Sequence, residues 1–109
     1  MKTTSEEINA AIAGYTDVVT LELHLDVLTG FYELRLELCD ANNDSLILSC
    51  QDVSNLRIVE FGGGLTQFLG LRCDDVRSRQ IDREAFHFAD HERETVNFYC
   101  SSMYLKRSP

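Results

Sequence analysis

Apolar and polar residues alternate strictly through Val18–Leu38. Leu21, Leu23, Leu25 and Val27 interleave with Glu22, His24 and Asp26, and Tyr32, Leu34, Leu36 and Leu38 interleave with Glu33, Arg35 and Glu37. A period of two gives a strand one apolar and one polar face, and two such runs around a Gly-containing turn predict a β-hairpin. Closing the loop over Leu28–Phe31 sets Val27 opposite Tyr32 and aligns Leu25 with Leu34, Leu23 with Leu36 and Leu21 with Leu38. On the polar face that register opposes Asp26 to Glu33, His24 to Arg35 and Glu22 to Glu37. Two of those three pairs join like charges, which destabilises a sheet.

The pattern elsewhere fits the same architecture. Ser5–Tyr15 predicts a short helix, with Thr4 or Ser5 as its cap, Glu6 and Glu7 at the positive end of the dipole, and Ile8 and Ile12 as a narrow apolar stripe. After the hairpin, Asp40–Ser45 is rich in Asn and Asp and predicts a turn. Further strands are expected at Leu46–Cys50, Leu56–Phe61 and Leu65–Cys73, the last with Leu69, Leu71 and Cys73 on one side; its opening, Leu65–Leu69, equally fits a helical turn. Asp74–Glu84, anchored by Val76 and Ile81, predicts an irregular stretch or a short edge strand. Phe86 and Phe88 begin another strand, Asp90–Arg93 turns the chain, and Val96, Phe98 and Cys100 point inward on the strand that follows. Tyr99, Met103 and Leu105 fall on its other phase, so part of it is covered on both faces. Lys106–Pro109 is expected to fray. About seven strands at intervals of roughly ten residues predict a mainly β single domain over residues 1–109, either an antiparallel β-sandwich or a bent sheet, with one short N-terminal helix.

Composition narrows the class. A chain of 109 residues is long enough to bury roughly 65% of its unfolded surface without a disulfide or metal staple. No apolar run approaches the ~20 residues of a membrane span, and MKTTSEEINAAIAGY lacks the apolar core of a secretory signal, so a cytoplasmic protein is expected. Cys39, Cys50, Cys73 and Cys100 are scattered, with no zinc-ligand spacing, and read as reduced thiols that act as small hydrophobes.

Charge changes the picture most. The formal net charge is −8, and residues 1–60 carry all of it, with three basic side chains against eleven carboxylates; residues 61–109 balance seven with seven. Such a field opposes nucleic acid and anionic membrane and favours a cationic partner.

Catalytic motifs are wanting. Gly62–Gly64 lacks the Lys-Ser/Thr of a phosphate loop and the helix and acid of a dinucleotide site, and reads as a turn. His87, Asp90, His91 and Glu92 are the densest set of potential ligands, yet nothing completes a metal or acid–base site. Ser45, Ser49 and Ser54 have no nucleophile elbow. The arginines at 72, 77, 79, 83 and 93 are interleaved with acids and are expected to pair locally. No enzyme activity, cofactor or metal is expected.

Glu22, Asp26, Glu33 and Glu37, around His24, remain as the candidate partner-binding face. Carboxylates held together repel one another and are relieved when a basic surface arrives, which raises association rate and specificity. Val53-Ser-Asn-Leu-Arg-Ile-Val-Glu-Phe-Gly-Gly-Gly-Leu-Thr-Gln, Asp74-Asp-Val-Arg-Ser-Arg-Gln, His87-Phe-Ala-Asp-His-Glu and Val96-Asn-Phe-Tyr-Cys100 together resemble small bacterial proteins. Some of these resemble immunity proteins that neutralise toxins of contact-dependent growth inhibition and related polymorphic systems. The resemblance covers roughly residues 50–100. It implies an immunity role, a cytoplasmic toxin domain as partner, and no catalysis. The expected function is therefore a non-enzymatic acidic binding protein that covers the basic active-site groove of a cognate toxin. The alternative is a small structural or accessory domain that forms a homodimer through Tyr99, Met103 and Leu105.

Overall fold

In a computed structural model, which describes residues 4–77 and 85–107, the alternating runs become eight strands in two antiparallel sheets. The strands are β1 (Asp17–Asp26), β2 (Phe31–Cys39), β3 (Ser45–Gln51), β4 (Ser54–Ile58), β5 (Leu71–Asp75), β6 (Phe86–Asp90), β7 (Val96–Cys100) and β8 (Ser102–Arg107), after one helix, α1 (Ser5–Ile12). The first sheet has the order β1-β2-β3-β8 and the second β4-β7-β6-β5. The fold is mainly β, as the alternation predicts.

Leu34, Leu36, Leu38, Leu46, Leu48, Cys50 and Met103 line the first sheet's inner face, and Cys73, Phe86, Phe88, Val96, Phe98 and Cys100 line the second's. Phe88 and Phe98 stack across β6 and β7 with ring centroids 4.9 Å apart. A buried Leu or Phe contributes about 1.5–3 kcal/mol, so this double layer dominates stability. Ile8 and Ile12 join the core. Asn9 ties the helix to β5, accepting from the Cys73 N–H and donating to its carbonyl, both at 2.8 Å.

Several boundaries differ from expectation, each for a physical reason. The helix stops at Ile12, short of Tyr15; Thr4 caps it and Glu7 returns the bond to the Thr4 N–H. The hairpin slips by two residues. Asp26 accepts from the Leu28 N–H through its side chain (2.9 Å) and from the Gly30 N–H through its carbonyl (2.7 Å), so the turn closes over residues 27–30. Leu25 consequently meets Tyr32, Leu23 meets Leu34 and Leu21 meets Leu36. A slip of two preserves the faces while changing every partner.

Leu65–Cys73 is not one strand. Thr66 and Phe68 instead bond the start of β1, at Val18 and Thr16, and Phe68 enters the core while Leu69 is exposed. The final run splits into β7 and β8 at Ser101, which bonds the Gln51 carbonyl where the chain passes between sheets. That bend shifts the phase by one residue. Cys100 and Met103 are therefore both buried, and Leu105 packs against the core. Lys106 and Arg107 of the expected frayed tail pair with Ile47 and Leu46, and Ser108 and Pro109 lie outside the described residues. Val76 is buried as expected; Ile81, Arg79 and Arg83 lie outside the described residues.

Candidate functional site

The polar face of the β1–β2 hairpin carries Glu22, His24 and Asp26 on one strand and Glu33, Arg35 and Glu37 on the next, all on the side away from Leu34 and Leu36. All four acids of the candidate face thus stay on two adjoining strands. Their cross-strand partners are not those the expected turn would impose. His24 stands opposite Glu33 and Arg35 opposite Glu22, with 3.7 Å between Arg35 Nη1 and Glu22 Oε2. Asp26 faces Phe31 and is committed to the turn. The like-charged pairs are gone, and the two-residue slip that removes them also favours the observed register. Glu33 and Glu37 remain as acids with no ion pair among the described residues.

The field of this face is felt by its neighbours. Burial first, then the carboxylates of Asp17, Asp40 and Glu37, push the Cys39 thiol up from its ordinary value. Further along, Lys106 on β8 aligns with Ile47 and Glu37, so the negative field weakens toward that edge.

The opposite side of the same hairpin holds what the alternation alone conceals. Leu23 is 46% exposed, while its partner Leu34, on the same face, is 0% exposed. Leu25 and Tyr32, the next pair outward, are exposed at 40% and 45%. Two causes act. β1 is the edge of its sheet, which leaves Leu23 uncovered beside a buried Leu34 at the same level. The hairpin is also longer than the strands facing it, so Leu25 and Tyr32 are uncovered together. β1 has ten residues and β2 nine, whereas each strand of the facing sheet has five. At about 3.3 Å per residue the hairpin is longer than a strand of the facing sheet by roughly 15 Å. Val27 and Leu28 at the tip extend the apolar surface. The unequal lengths of the alternating runs were the available signal for this patch.

β1 is also an edge. Its outer side bonds residues 66–68 near Thr16–Val18 only, and from Val19 to Asp26 it has no further strand partner among the described residues. Open edges of this kind are templates for strand addition.

The His87–Glu92 set does not converge. His87 sits on the outer face of β6, stacked on Tyr99 with centroids 4.5 Å apart, and its Nε2 meets Asn97 Oδ1 at 3.0 Å. Asp90 is buried and spent on structure: it accepts from the Thr95 hydroxyl and from the Gly70 and Glu92 N–H groups, both at 3.0 Å. Burial raises its pKa, but the bonds from Thr95, Glu92, Gly70 and Arg93 outweigh that and hold the carboxyl below the ordinary Asp value. Among the described residues no three His, Cys, Asp or Glu side chains gather closely enough to hold a metal ion.

Gly70 lies beneath this turn. A Cβ there would come within 2.8 Å of the Glu92 backbone nitrogen, so only glycine fits without a shift. Gly62, Gly63 and Gly64 take φ of 94°, 72° and 116° and build the loop after β4, where the Gly62 N–H donates to Thr66 Oγ1. Cys50, Cys73 and Cys100 are buried and free. Burial and then the neighbouring Cys100 thiol push Cys50 far up, and burial does the same to Cys73, which leaves both inert as nucleophiles.

Local pairing of the arginines holds at Arg72 with Asp74 and at Arg77 with Asp75. It does not extend to Arg93, which with Arg57 lines a cleft on the outer face of the second sheet. No helix among the described residues is long and apolar enough to cross a membrane. Compared with known proteins, the chain matches no family model, no curated protein and no solved structure.

Proposed function

We propose that this protein is a non-enzymatic binding protein that takes a basic protein partner on the β1–β2 hairpin. The observation that carries the reading is the exposed apolar surface of that hairpin, with Leu23, Leu25 and Tyr32 uncovered on one side and Glu33 and Glu37 on the other. An exposed contiguous apolar patch marks an interaction surface, and a partner that wraps the free edge of β1 reaches both the apolar and the acidic side of the hairpin. The acids steer a cationic partner in, and the apolar residues hold it.

The resemblance of residues 50–100 to immunity proteins supplies the class of partner: a cytoplasmic bacterial toxin domain whose basic active-site groove the hairpin covers. On this reading a gene for a large secreted protein with a variable C-terminal module is expected directly upstream, and that module is the partner to test. With that domain purified, Glu33→Lys combined with Glu37→Lys slows association about tenfold or more and flattens its salt dependence, while Leu25→Ala speeds dissociation. Association and dissociation unchanged in both variants would remove the hairpin as the binding surface.

A second reading is a self-associating accessory domain. Met103 is buried, so the surface expected from Tyr99, Met103 and Leu105 does not exist as a patch. The free edge of β1 favours self-association at a different place. Antiparallel pairing about Leu23 would set each Glu22 against the other copy's His24. Sedimentation equilibrium separates the readings, because a dimer that Leu23→Lys dissolves supports the second.

A further inference from the structure

The outer face of the second sheet carries a polar cleft with the opposite character to the hairpin. Arg57, Asn97 and Ala89 lie in one row across β4, β7 and β6. Ala89 is a small floor, and Arg57, His87, His91, Arg93 and Asn97 rise around it to enclose about 420 Å³. That volume falls in the range of small-molecule sites.

Two observations point to an anion. Arg57 and Arg93 make no ion pair among the described residues, in a chain where eighteen carboxylates outnumber ten basic side chains. Guanidinium groups left unpaired amid such an excess of acid are available to a ligand. The second observation is the frame that holds the donors. Tyr99 stacking and the His87 Nε2–H bond to Asn97 Oδ1 fix both side chains. That bond commits the Asn97 oxygen and leaves its NH2 as a donor. Asp90, the nearest buried carboxylate, is saturated by the Thr95 hydroxyl and the Gly70 and Glu92 N–H groups and so anchors the turn that carries His91 and Arg93. Glu94 at the rim is the one further acid of the lining.

We propose that this cleft binds the phosphate group of a small phosphorylated ligand, with Arg57 and Arg93 as charge partners and Asn97 and His91 as positioning donors. The forked N–H groups of the two guanidiniums match the oxygens of a phosphate, and their charges offset those of Asp90 and Glu94 in the lining. The site is independent of the hairpin and works whether or not the hairpin has a protein partner.

The test is titration of the full chain with inorganic phosphate, adenosine 5′-monophosphate and succinate, followed by amide and imidazole NMR shifts. Saturable shifts clustered at residues 57, 87–97 and absent with succinate are expected. Arg57→Ala and Arg93→Ala should each weaken binding about tenfold, whereas Arg77→Ala, whose guanidinium is held by Asp75, should leave it unchanged. Tighter binding of the monophosphate identifies an ester as the ligand; equal binding identifies free phosphate. Shifts that do not saturate with either phosphate compound, equal binding of succinate, or equal affinity in the Arg57 and Arg93 variants would overturn the proposal. Unfolding midpoints of the exposed-arginine variants, expected to match the parent, exclude loss of fold as the cause.

Discussion

Two hairpins of the same alternating design meet different fates in this molecule. The β6–β7 hairpin lies in the middle of its sheet, with β5 and β4 on either side, and its apolar residues Phe88, Val96, Phe98 and Cys100 are all buried. Its turn is locked by the buried Asp90 carboxylate. The β1–β2 hairpin is longer, ends its sheet, and runs past the facing layer, so the same alternation leaves Leu23, Leu25 and Tyr32 in water. Seven of the eleven exposed large hydrophobics among the described residues belong to it: Val19, Leu23, Leu25, Val27, Leu28, Phe31 and Tyr32. Alternation therefore specifies which face a residue takes, while position in the sheet decides whether that face is covered. The covered hairpin serves stability, and the uncovered one is free to serve recognition.

That contrast breaks most readily in the core. Phe98→Ala removes a fully buried ring stacked on Phe88 and should cost about 3–5 kcal/mol, read as a lower urea midpoint. The sharpest comparison is a single cross-strand pair. Leu34→Ala should cost about 2–5 kcal/mol, whereas Leu23→Ala, directly opposite on the same face, should cost under about 1 kcal/mol. Equal losses at the two positions would mean that the hairpin is covered in solution.

Asp90→Asn should cost about 1–3 kcal/mol, because an amide NH2 would be turned against donors the carboxylate now accepts from. The pH dependence has a definite sign. The folded pKa of Asp90 lies below the unfolded value, so its contribution is complete above about pH 4 and is lost as pH falls through the folded value. Asp90→Asn should flatten the acid limb of the stability curve. The smallest effect is expected on the β1–β2 hairpin: Glu22→Gln breaks an exposed ion pair with Arg35 and should change stability by no more than about 0.5 kcal/mol.

Much of this was legible in the residues. The helix start at Thr4–Glu7, the turn at Asp40–Ser45, the inward phase of Leu34, Leu36, Leu46, Leu48, Phe88 and Phe98, and the single face shared by Glu22, His24, Asp26, Glu33 and Glu37 all follow from local spacing. The register of the hairpin did not. A slip of two leaves every apolar residue on its own side, so the pattern is silent between registers, and the choice fell to the bonds that Asp26 makes across the turn. The break at Ser101 escaped for a related reason. One residue of bend changes the phase, and the run before and after it reads as one strand covered on both faces until the two sheets are placed. Arg57 and Arg93 are far apart in the chain and read as ordinary surface charges; the row through Asn97 and Ala89 brings them to one cleft.

By itself, then, the order of amino acids determined a β architecture, a short capped helix, the identity of the residues on each strand face and a negative field concentrated in residues 1–60. These depend on periodicity and on side-chain chemistry, which are local. Tertiary structure alone decided how far the two layers overlap, which strand became an edge and which charges found partners. Those outcomes depend on the meeting of segments distant in sequence, where the shortest strands limit what the longer ones can bury.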